Sequence, residues 1–163
     1  MKQTGFLLLA LAAAGCGRQP GETIAPAAGC GEGATGIVVS DAWVRAADAS
    51  RPATAAYLTL CNAGADADAL LRVAAPSARA VELHETIRSS DGVAKMSPVE
   101  KLDLAPSTPA MLAPGGAHIM LIGLNEALKA GATATITLEF ENSAPITIEA
   151  PVRDAAPGSD QHH

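Results

Sequence analysis

Between Gly36 and Val152 the chain is a succession of short β-prone runs, each ended by turn-forming residues, and this rhythm leaves little choice of fold. Thr133 to Phe140 alternates threonine with alanine, isoleucine and leucine, the two-residue period of a strand that gives one face to a core. Pro145 to Val152 repeats the pattern. Ile37 to Arg45, Thr54 to Asn62, Ala69 to Ala74 and Ala80 to Thr86 are further strands, and shorter pieces around Leu102 and Met111 are broken by Pro106, Pro109 and Pro114. Only Asn125 to Ala130 departs from this rhythm; it predicts one helical turn stopped by Gly131. The expected fold is all-β, a sandwich or barrel closed by the last two strands. Beyond the leader the aromatic residues are Trp43, Tyr57 and Phe140, so its core must be aliphatic.

The first residues belong to a different economy. A short positive start at Met1-Lys2-Gln3 precedes the apolar run Phe6 to Ala14, and Gly15-Cys16 follows directly, which predicts an export leader over 1–16. Ala13-Ala14-Gly15-Cys16 resembles a bacterial lipoprotein processing box, with Ala13 where such boxes usually carry Leu. Cys16 would then carry a lipid as the first mature residue, and the alternative is ordinary cleavage that removes it. Residues 17–35 are rich in Gly, Pro, Ala and Thr without a hydrophobic period and read as a flexible tether. The β-domain is expected over 36–153, and 154–163 as a disordered tail. With Cys16 taken by the leader or the lipid, Cys30 and Cys61 are left in an oxidising compartment and are expected to pair. The alternative is that Cys61 is only a small buried hydrophobe.

At 163 residues there is room for one domain with tails. A net charge of −6 with scattered lysines and arginines gives no electrostatic footprint for nucleic acid. No later segment reaches the roughly 20 apolar residues needed to cross a bilayer as a helix, so any membrane contact is expected through Cys16.

The residues with the most pointed chemistry are His84, Met96, His118 and Met120. In a strand, residues two apart share a face, so His118 and Met120 project together while Ile119 and Leu121 turn to the interior. In Val81-Glu82-Leu83-His84 the same alternation sets His84 opposite Val81 and Leu83. Ser89-Ser90-Asp91-Gly92 is expected to turn the chain so that Met96 returns toward His84. Thioether sulfur is a soft donor that suits Cu(I), and imidazole serves copper in either oxidation state, so the mixed set favours copper over zinc. Outside the cytosol a thioether also avoids the oxidation and cross-linking open to a thiolate.

The stretches Asp41-Ala42-Trp43-Val44-Arg45, Ala55-Ala56-Tyr57-Leu58-Thr59-Leu60, Glu82-Leu83-His84-Glu85-Thr86, Gly92-Val93-Ala94-Lys95-Met96 and Leu112-Ala113-Pro114-Gly115-Gly116-Ala117-His118-Ile119-Met120-Leu121 resemble the periplasmic copper chaperones called PCuAC. The resemblance spans about Gly36 to Val152. That family's signature is a His, a Met and a His-x-Met, with 21 residues between the first Met and the second His, as between Met96 and His118 here. Between His84 and Met96 lie 11 residues, one more than the commonly written pattern, which fits a longer turn. The resemblance implies a cupredoxin-like Greek-key β-sandwich and no enzymatic activity. It further implies Cu(I) held by His84, Met96, His118 and Met120 for delivery to the copper centres of cytochrome c oxidase. The expected partners are copper and a copper-accepting oxidase subunit or another copper chaperone, met by a monomer.

Alternatives are a copper storage or detoxification protein and a surface lipoprotein that binds another protein without metal. An electron-transfer cupredoxin needs a thiolate ligand near a late His, and the chain has no Cys after Cys61. Nothing resembles the motifs of a hydrolase. In the tail, His162, His163 and Asp160 would bind Cu(II) weakly or simply be solvated.

Overall fold

The computed structural model describes residues 30–31, 33–88 and 92–154. The leader over 1–16, the tether as far as residue 29, turn residues 89–91 and the tail from residue 155 with His162 and His163 lie outside the described residues. Among the described residues ten strands follow in order: β1 (Ile37–Arg45), β2 (Ala53–Asn62), β3 (Asp68–Ala74), β4 (Ala78–Arg88), β5 (Ala94–Pro98), β6 (Leu102–Leu104), β7 (Pro109–Leu112), β8 (His118–Leu124), β9 (Thr133–Phe140) and β10 (Ile146–Arg153). The hydrogen-bonded order is β5-β4-β8-β2-β1-β10-β9-β3-β6, with β7 also on β2. Neighbours are antiparallel except at β1 and β10, whose parallel pairing joins the two layers of a cupredoxin-like β-sandwich.

The core lies between those layers and is aliphatic as the composition requires. Leu58, Leu60, Leu83, Ile119 and Leu121 from one layer meet Leu70, Val73, Ile136, Leu138 and Val152 from the other. In β9 the threonines stay outside while Ala134, Ile136, Leu138 and Phe140 are buried. That is the two-residue period read directly from the sequence.

Two local features depart from simple alternation. A bulge in β1 sets three steps of chain, Ser40 to Trp43, against the two steps from Thr59 to Tyr57 on β2, and Asp41 takes a positive φ of 53° within it. The extra residue restores Trp43 to the face of Tyr57 and sends Val44 into the core. The helical turn expected at Asn125–Ala130 does not form. Leu128 instead exchanges both backbone hydrogen bonds with Ala47 and buries its side chain in the core, so tertiary pairing overrides a weak local preference.

Cys30 and Cys61 form a disulfide that ties the segment before β1 to the far end of β2. Beside it Asn62 donates from Nδ2 to the carbonyls of Asp66 and Leu104 and accepts from the Gly64 amide at Oδ1. Buried Asp68 holds the β9–β10 turn, its carboxylate accepting from the amides of Asn142 and Ser143.

Candidate metal centre

β7 and β8 lie along one line beside β2: β7 faces Leu58 to Cys61 and β8 faces Ala53 to Ala56. The chain leaves this line at Ala113 and rejoins it at His118, and the excursion is closed by the Ala113 amide donating to the Ala117 carbonyl at 2.8 Å. Gly115 sits within it at φ +83°, a conformation costly to any residue with a Cβ. The loop aims one carbonyl at two donors. Gly116 O accepts from the Thr86 amide at 3.2 Å and from His118 Nδ1 at 3.0 Å. The first bond docks the loop on β4, and the second fixes the His118 ring. With its proton on Nδ1, the neutral ring keeps its lone pair on Nε2.

Antiparallel pairing of β4 with β8 sets His84 directly across from His118 and Glu82 across from Met120. The imidazole centroids are 5.9 Å apart. On the other side of β4, Met96 of β5 lies across from Thr86, and Pro98 rather than Met96 lies across from His84. Met96 thus arrives one same-face step along the sheet from His84 rather than beside it. Since paired residues and residues two apart share a face, His84, Met96, His118 and Met120 all occupy the side of the sheet turned away from the core. Their neighbours Leu83, Ile119 and Leu121 are buried on the other side.

The four are unequally exposed. His118 is buried at 5 %, the His84 side chain is 14 % exposed, Met120 is half-buried, and Met96 stands out at 58 %. Exposure is therefore a property of Met96, while the histidines are recessed. A small apolar cluster of Trp43, Ala55 and Tyr57 walls the inner side. The Tyr57 ring lies 6.5 Å from that of His118 and 4.6 Å from that of Trp43. Burial pushes the Tyr57 hydroxyl above its ordinary range against a smaller opposing pull from Arg45, so it stays a neutral phenol.

His84 is held differently from His118. Its Nε2 lies 2.8 Å from Oε2 of Glu82, and its Nδ1 is buried with no hydrogen-bond partner. A buried ring nitrogen without a partner is costly unless something else occupies its lone pair. Among the described residues no group of three or more His, Cys, Asp and Glu is placed to hold a metal ion. A metal on this face would therefore draw on thioether sulfur, and two imidazoles with two thioethers make a donor set suited to soft Cu(I).

Sequence reasoning singled out these four residues as candidates, and the fold brings them to one face; it missed the surroundings that hold them. Glu82 was open to discovery, because a residue two before His84 must share its face. The Gly116 carbonyl and the Tyr57 wall were not, since each depends on pairing across strands.

Residues 37–152 match the family described as "Putative lipoprotein LpqE-like". The protein "Putative lipoprotein Lxx21020" of Leifsonia xyli subsp. xyli is 32 % identical over 124 residues, which is 76 % of this chain and 74 % of that one. Among solved structures, the copper-bound PCuAC domain from PmoF2 superposes with a TM-score of 0.63 at 27 % identity, covering 75 % of this chain and 97 % of that domain. The solution structure of CuI-DR1885 from Deinococcus radiodurans gives 0.57 at 32 % identity, covering 72 % of this chain and 77 % of the other. The chain belongs to the LpqE-like family, and its β-domain is of the PCuAC kind.

Proposed function

We propose that this protein is an exported copper carrier that binds Cu(I) through His84, Met96, His118 and Met120 and passes it to copper centres of cytochrome c oxidase. The observation that carries the reading is the direct pairing of His84 with His118 across β4 and β8, with Met120 and Met96 on the same face. The copper named for the PmoF2 and DR1885 structures supports it.

Four neutral donors suit a carrier. They hold Cu(I) without proton release, and each can be replaced singly by an incoming thiolate, imidazole or thioether. Unequal exposure gives the exchange an order: Met96 is the donor an acceptor reaches first, and the recessed histidines retain the ion until the acceptor's ligands are in place. The Tyr57 and Trp43 wall closes the inner side, so exchange runs from the β5 edge. Each step exchanges one coordinate bond to copper for another and leaves the organic groups unchanged, which fits a carrier.

In the same reading 1–16 is the export leader, Cys16 carries a lipid, 17–35 tethers a domain spanning 36–153, and 154–163 is a solvated tail. The lipoprotein descriptions of the family and of the Leifsonia relative support the anchor. The tether would let a membrane-attached domain reach a membrane-bound acceptor on the periplasmic side, with the protein acting as a monomer.

Competition against a Cu(I) chelator tests the site. His118→Ala is expected to lose at least about 100-fold in Cu(I) affinity, roughly 2.7 kcal/mol, and parent-like binding would remove the assignment. Mixing the Cu(I)-loaded protein with the soluble copper-binding domain of an oxidase subunit, followed by NMR, tests the fate of the metal. Movement of copper supports delivery, and retention favours storage.

A further inference from the structure

Resting on the copper reading, we infer that Glu82 is a positioning residue that makes His84 a ligand through Nδ1, so that the two histidines offer copper different ring nitrogens. The inference starts from the one buried imidazole nitrogen of the centre that has no partner. Glu82 Oε2 lies 2.8 Å from His84 Nε2. In this contact the carboxylate oxygen accepts from Nε2–H, so in the neutral form of the ring the lone pair resides on Nδ1. That Nδ1 is buried and unpartnered, on the face shared with His118 and Met120. At His118 the roles are reversed: Nδ1 donates to Gly116 O, leaving Nε2 for the metal.

The arrangement on β4 is local and inexpensive. Glu82 and His84 stand two apart, so the strand itself delivers the carboxylate to the imidazole, and Glu82 remains half-exposed at 48 %. Hydrogen bonding to the nitrogen remote from the metal both orients a ligating imidazole and raises its basicity. The carboxylate also brings one negative charge close to a centre whose four donors are neutral, offsetting the charge of a bound Cu(I). His118 lacks this assistance, because its ring is held by a neutral carbonyl.

The test uses the protein labelled with 15N in histidine. Long-range proton–nitrogen spectra of the metal-free form are expected to show His84 protonated on Nε2 and His118 protonated on Nδ1. Adding Cu(I) should move the His84 Nδ1 and His118 Nε2 signals. Glu82→Ala should mix the two His84 tautomers and weaken Cu(I) binding about 10- to 100-fold. Glu82→Gln, whose amide oxygen still accepts a hydrogen bond, should restore most of the affinity and the single tautomer. Copper shifting His84 Nε2 instead, or Glu82→Ala keeping parent affinity and tautomer, overturns the inference while leaving the copper site standing. Movement of neither histidine overturns the copper reading and this inference with it.

Discussion

The two faces of the β4–β8 pair, built from adjacent residues of the same strands, have been given opposite tasks. Inward, Leu83, Ile119 and Leu121 are sealed among aliphatic neighbours and contribute to stability. Outward, His84, His118, Met120 and Glu82 leave a ring nitrogen unsatisfied beside a half-buried thioether, an arrangement that a stability-driven surface would not keep. The inner face is interchangeable in kind, since any well-packed aliphatic would serve. The outer face depends on the identity of each atom. A rigid inner face is also what keeps the outer donors in register, because a one-residue slip in a strand would send the histidines inward and the leucines out.

The largest effect is expected on the inner face. Ile119→Ala removes a fully buried side chain and should destabilise the domain by about 2–5 kcal/mol, read by denaturant unfolding, while the folded fraction still binds Cu(I). If copper affinity fell and stability held, the division between the faces would be misplaced. Next comes the Cys30–Cys61 bond, which spans a sequence separation of 31 and closes over the end of β2 beyond Tyr57. Replacing both cysteines with serine should cost about 3.5 kcal/mol by the loop-entropy relation and leave Cu(I) affinity unchanged. An affinity loss would tie the staple to the site.

One acid-sensitive contact lies away from both faces, at Asp68 beside the β9–β10 turn. Burial pushes the Asp68 carboxyl up, but hydrogen bonds from the Ser143 hydroxyl and the amides of Asn142, Ala69 and Ser143 outweigh it and hold it below the ordinary carboxylate range. A carboxyl with a lowered folded value stabilises the fold above its unfolded value, near 3.9, and that contribution disappears as pH falls through the folded value. Asp68→Asn should flatten the acid limb of the stability-against-pH curve, and an unchanged limb would assign acid sensitivity elsewhere. The smallest effect belongs to Met96. Met96→Leu should leave stability within about 0.5 kcal/mol, as expected of an exposed position, and weaken Cu(I) binding about tenfold. A loss as large as that of His118→Ala would mean that the exposed donor carries as much as the recessed one.

Much of this was legible in the sequence because strands advertise their faces. The Thr-rich alternation of β9 and the His-x-Met of β8 each assign inside and outside without a structure. What alternation could not reveal depends on pairing. The bulge at Asp41 reverses the parity of β1, so Trp43 joins the wall beside Tyr57 for a reason found only in the register with β2. Asn125–Ala130 looked locally helical, yet the backbone of Ala47 offered Leu128 a better partner. The approach of Met96 was foreseen, but its step to Thr86 follows from β4–β5 register. Among the described residues, no helix is long and apolar enough to cross a membrane.

X-ray absorption of the Cu(I)-loaded protein tests the donor set most directly, because nitrogen and sulfur scatter at distinguishable distances. The expected spectrum contains both nitrogen and sulfur neighbours, from two imidazoles and two thioethers, with sulfur scattering reduced in Met96→Leu and nitrogen scattering reduced in His118→Ala. A first shell of nitrogen and oxygen alone, unchanged by either substitution, would contradict a His and Met copper centre on this face.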